Sequence, residues 1–195
     1  MKSLHTLAVA SLAFVSFGAT SAHADDTIRQ PGEHFPYFIE MEPHVAVAWG
    51  NWTGGLGGEA GYGVGGRFSI PLVKNGFIPN INNSVAIGFG LDFLHFGCGI
   101  EGVACTFNSL SFPVVLQWNF YVSHDWSVFG EPGLFLYHQF VSSDGSCPGP
   151  ACVTVRETSV LPALYVGARY RLNDRMAVTV RLGYPTIDVG MSFFD

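Results

Sequence analysis

The chain has 195 residues and a formal net charge of −6, and only 12 % of it is Asp, Glu, Lys or Arg, about half the share usual in soluble domains. The length suits one folded domain, and the absence of a basic cluster excludes a nucleic-acid-binding surface. Glycine (24 residues) and aromatic residues (14 %) are abundant instead.

In chain order, "MKSLHT" is a short basic start, "LAVASLAFVSFGA" an apolar run too short to span a bilayer as a helix, and "SAHA" a small-residue cleavage site. Residues 1–24 therefore read as a secretory signal peptide cut after Ala24. Residues 25–36, "DDTIRQPGEHFP", form a polar lead-in without packing signals, expected to hang free in the periplasm.

From 37 to 195 the chain alternates with period two, the mark of strands with one apolar face. Eight strands are predicted, at 37–50, 58–70, 84–96, 107–121, 126–140, 153–171, 175–184 and 186–194. The third, "SVAIGFGLDFLHF", sets Val85, Ile87, Phe89, Leu91 and Phe93 against Ser84, Ala86, Gly88, Gly90 and Asp92. The first sets Met41, Val45 and Val47 against Glu40, Glu42, His44 and Ala46. The fifth is mixed, because Phe129 and Phe135 share a face with Glu131 and Tyr137.

Tight Asn/Asp-type turns are expected at 123–125 and 172–174. Longer connections follow strands one, three and five, and an up-and-down meander places these three at the opposite end. Two of them carry the close pairs Cys98/Cys105 and Cys147/Cys152. In an exported chain these read as disulfides; four cysteines allow three pairings, and proximity favours 98–105 and 147–152. The C-x₂-C spacing and flanking histidines of a zinc site are missing. "GYGVGG" (61–66) satisfies a dinucleotide pattern by letter only, since no helix follows it. No metal or other cofactor is expected.

Alternation alone does not say which way the apolar face points. Most of these segments exceed the five or six residues typical of soluble strands and reach the roughly nine to eleven a bilayer requires. Their other face is rich in glycine, alanine and serine, which suits a narrow lumen better than a watered surface. Its charges are mixed in sign: Glu40, Glu42, Glu59, Asp92, Glu131 and Asp188 against Arg67, Arg169, Arg171 and Arg181. Buried charges need partners, so these are expected to form a charge network across a lumen. Aromatics gather near strand ends (Trp49, Trp52, Trp118, Tyr121, Trp126, Tyr170, Tyr184, Phe193), as in interfacial girdles. The apolar face is thus expected to meet lipid. Because spanning backbone must be fully paired, the fold class is an all-β, closed, eight-stranded antiparallel up-and-down transmembrane barrel.

With its signal segment, eight amphipathic strands and C-terminal "TIDVGMSFFD", the sequence resembles the small outer-membrane β-barrel proteins of Gram-negative bacteria, the OmpA-like and OmpX-like group. Barrels of that group usually end on an aromatic residue, whereas this chain has Asp195 there and Phe194 on the other parity. The resemblance implies a place in the bacterial outer membrane, in contact with its lipid and lipopolysaccharide.

Three functions follow. The first is a non-enzymatic structural or adhesion-like barrel recognising a surface ligand through loops 50–58, 97–106 and 142–152, stiffened by the disulfides. The second, implied by lipid A- and acyl-chain-modifying barrels, needs a serine, a histidine and a carboxylate near the rim; by position these are His95, His138 and Ser142 with Asp92 or Asp144. The third is a narrow channel, which inward arginines and tyrosines would obstruct.

Overall fold

A computed structural model describes residues 27–48, 60–97, 106–142 and 157–195. The signal segment, Glu59, Cys98, Cys105, Cys147, Cys152, Asp144, Trp49 and Trp52 lie outside the described residues, as do loops 50–58, 97–106 and 142–152 apart from their strand-end positions.

The strands are Glu40–Ala48 (β1), Gly61–Val73 (β2), Asn83–Gly97 (β3), Thr106–Tyr121 (β4), Trp126–Ser142 (β5), Glu157–Asn173 (β6), Met176–Tyr184 (β7) and Thr186–Phe194 (β8). Each pairs antiparallel with the next, and β1 pairs with β8, so the sheet closes without an edge. Closure extends past β8: the Asp195 carbonyl accepts from Phe38 N at 2.6 Å and Ile39 N at 3.3 Å. The strands lie where the alternation predicts them, except that β2 is displaced toward its C-terminal end. There Pro71–Val73 continue the pairing to β3 through an irregular register.

The wall is uneven. β1, β7 and β8 have 9 residues each, whereas β5 and β6 have 17. The β4–β5 and β6–β7 connections are the expected tight turns; Asn173 Oδ1 accepts from Arg175 N at 2.9 Å in the second. They lie at the end where both chain segments flanking the barrel also pack.

Burial follows the pleat and inverts the soluble pattern. Glu42 is 2 % exposed while its strand neighbour Val45 is 59 % exposed. Inward glycines sit under large cross-strand side chains. A Cβ at Gly167 would strike the Phe129 ring, one at Gly183 the Tyr165 ring, and one at Gly61 the Phe96 ring. Gly66 and Gly130, of outward parity, have open space instead. The mixed pattern of β5 resolves the same way: Phe129 and Phe135 are buried inside, with Glu131 between them.

The lead-in corrects an expectation. Far from hanging free, Thr27–Arg29 forms a 3-10 turn, Ile28 O accepts from Asn82 N at 2.7 Å, and His34 Nδ1 lies 2.8 Å from Asn82 Oδ1. The composition is polar, but a histidine and two aromatics are enough to fasten it to the barrel's short-turn end.

Candidate functional site

The lumen has two differently built halves. Toward the short turns, inward parity brings charged residues from six strands together. Arg181 (β7) crosses to β1, where its guanidinium meets Glu42 bidentately at 2.7 and 3.0 Å, and to β5, where Nε reaches Glu131 Oε2 at 2.8 Å. Glu131 also accepts from Arg67 (β2) at 3.3 Å and from Gln117 (β4) at 2.9 Å. Asp188 (β8) lies 3.8 Å from Arg181 and 3.9 Å from Arg67. Nearer the mouth, Arg169 (β6) pairs with Glu40 at 2.7 Å, and Ser192 donates to the same carboxylate at 2.6 Å. Bidentate arginine geometry suits such burial, since every carboxylate oxygen needs a donor.

Sequence reasoning missed three parts of this arrangement. His44 Nε2 lies 2.9 Å from Asp92 Oδ1, and its Nδ1 is 3.9 Å from Glu42, so the imidazole links Asp92 to the rest. Phe129 supplies a ring face to both Arg169 (5.1 Å) and Arg181 (5.3 Å), and Tyr165 to Arg67 (5.3 Å). Such contacts favour a cation that has left water. The strand parity had already put His44 and Phe129 on this face; what it could not give was the cross-lumen reach. Arg171, expected in the network, is not in it. It lies at the short-turn mouth, 2.8 Å from His124 and over the Phe35 ring at 5.4 Å.

Toward the long loops the filling is mainly apolar, with buried Ser109 and Gln139 beyond it. Ala46, Ala48, Leu94, Phe96, Val115, Phe135, Tyr137, Ala163 and Tyr165 form one buried cluster, with Leu161 and Tyr184 against it. Tyr184, expected in an outer girdle, instead packs edge-on to Phe135 at 6.1 Å.

At the opposite mouth the lead-in forms one wall of a cavity of about 400 Å³ that Tyr37, Tyr121, Trp126, Arg169, Arg171 and Phe194 also line. His34 stacks on Tyr121, ring centroids 4.3 Å apart and 3° from parallel. Burial, followed by the nearby Glu40 charge, pushes the Tyr37 hydroxyl well above the usual tyrosine range.

The outer wall separates the enzyme candidates. His95 and His138 point outward and meet Asn108 at 2.8 Å and Thr158 at 2.7 Å across neighbouring strands. Asp92 points inward. Ser111 donates to Asp92 at 3.3 Å, as the His44 ring does to the other oxygen. Hydroxyl and imidazole therefore both end on the carboxylate. The side chain of the candidate nucleophile Ser142, like Asp144, lies outside the described residues; among the described residues no group of acids, histidines or cysteines could hold a metal ion.

No protein-family model matches the sequence, and no curated protein does. Among solved structures, Neisserial surface protein A aligns over 80 % of this chain and 97 % of its own, with a TM-score of 0.51 and 12 % identity. The fold is that of a small outer-membrane β-barrel. Ail, the attachment invasion locus protein of Yersinia pestis, solved with the heparin analogue sucrose octasulfate, aligns over 80 % of this chain and 95 % of its own (TM-score 0.48, 12 % identity). The N-terminal barrel domain of Pseudomonas aeruginosa OprF covers the same shares (TM-score 0.40, 13 % identity).

Proposed function

We propose that this chain is a non-enzymatic barrel of the bacterial outer membrane, structural or surface-recognising, with recognition carried at its long-loop end. The observation that supports this reading is the inverted cross-section: Glu131 and Arg181 are fully buried, while Val45 and Val166 are each 59 % exposed. Water would penalise such a wall, and hydrocarbon would not.

The wall has the height a bilayer asks for. On β5 the outward residues between Trp126 and His138 are Val128, Gly130, Pro132, Leu134 and Leu136. At about 3.3 Å per residue and a tilt of about 45° this stretch rises about 28 Å, close to the ~25 Å apolar band of outer-membrane barrels. Trp118, Trp126 and Tyr170 mark its lower rim; His95 with Asn108 and His138 with Thr158 mark its upper one. Lipid and lipopolysaccharide would contact this wall.

Loops 50–58, 97–106 and 142–152 would then face outward, and disulfides 98–105 and 147–152 would lower the cost of ordering them on a surface ligand. Crossing ion pairs fill the lumen's charged half, which does not favour a wide aqueous channel. Deleting residues 143–152 in cells tests the reading. Adhesion should fall while the barrel keeps its heat-modifiable migration on gels; unchanged adhesion would contradict a recognition role for that loop.

A further inference from the structure

The cavity at the short-turn mouth belongs to none of these roles, and its size lies within the ~300–1,000 Å³ of small-molecule sites. Residues 169 and 171 share a parity on β6, so both arginines reach the mouth. Arg169 is 4 % exposed and gives its Nη2 to Glu40, yet its Nε has no hydrogen-bond partner. Arg171 touches His124 and the Phe35 ring, and among the described residues no carboxylate lies within 4.0 Å of it. One buried and one rim guanidinium thus retain donors for an anion. The stacked His34–Tyr121 pair and Trp126 supply flat apolar walls. Glu33 and Asp174 also line the cavity, and their charge opposes a dianion.

We propose that this mouth binds a small organic monocarboxylate with a flat ring body, its carboxylate held by Arg171 and Arg169 and its ring between the aromatic walls. The site lies at the opposite end of the barrel from the loops, so it stands or falls independently of their role.

The test is calorimetric titration of the full mature barrel in detergent micelles with benzoate, benzylamine and inorganic phosphate at matched ionic strength. Benzoate should give saturable heat, benzylamine none, and phosphate binding at least about tenfold weaker. Arg171→Gln should weaken benzoate about tenfold, the size expected for one charge-assisted contact. Arg175→Gln, in the neighbouring turn, should change nothing. Heat-modifiable migration shows that each variant is folded, and the ligand series on the unaltered chain stands without any variant. No saturable benzoate heat, an equal response to benzylamine or phosphate, or unchanged affinity in folded Arg171→Gln would overturn the proposal.

Discussion

Toward the short turns the lumen is filled by Arg67, Arg169 and Arg181 interlocked with Glu40, Glu42, Glu131 and Asp188; toward the long loops it is filled by Phe96, Phe135 and Tyr137 packed over alanines. The same eight strands line both halves, so closure alone does not require buried charge. The two fillings fail differently. Removing one member of an ion network leaves its partners charged in a dry interior. Removing one aromatic leaves only a cavity and lost contact area.

That contrast orders the mutational effects, each measured by urea unfolding from micelles or vesicles. Arg181→Met should cost the most, about 3–5 kcal/mol, because Glu42 and Glu131 lose their main cation together. Adding Glu42→Gln and Glu131→Gln to the same chain should recover much of that loss; no recovery would mean that packing, not charge, sets the cost. Phe135→Ala should cost about 3 kcal/mol, with no benefit from neutralising any carboxylate. Gly167→Val should cost about 1–3 kcal/mol by driving a side chain into Phe129 and the Val180 carbonyl, and Phe129→Leu should relieve the part due to the ring. Gly130→Val, on the open outward face, should be close to neutral. His34→Ala should cost about 1 kcal/mol, through loss of the stacked ring on Tyr121.

The strands were legible because a face that must meet hydrocarbon tolerates almost no polar residue, which makes the alternation long and clean. Parity puts Glu40, Glu42, Arg67, Asp92, Glu131, Arg169, Arg181 and Asp188 on one face, and strand length with the small residues beside them turns that face inward. Parity does not say how far a side chain reaches or at what height. Arg171 shares its face with Arg169 but sits at the open mouth, and the parity of His44 does not disclose that Asp92 lies 2.9 Å from its ring. Inward Phe129 and Phe135 blurred β5 because a lumen, unlike a lipid face, accepts both charge and aromatic rings. The lead-in was misjudged because its anchors, His34, Phe35 and Tyr37, are scattered among polar residues with no period to reveal them.

The account depends on which face of each strand meets lipid, and a nitroxide scan of residues 112–117 reads this directly. Each position would be changed singly to cysteine and labelled, in a chain whose native cysteines are serine, reconstituted in vesicles. Collision with dissolved oxygen, which concentrates in hydrocarbon, should peak at Phe112, Val114 and Leu116 and drop at Pro113, Val115 and Gln117. A water-soluble nickel chelate colliding most at Phe112, Val114 and Leu116 would contradict the account.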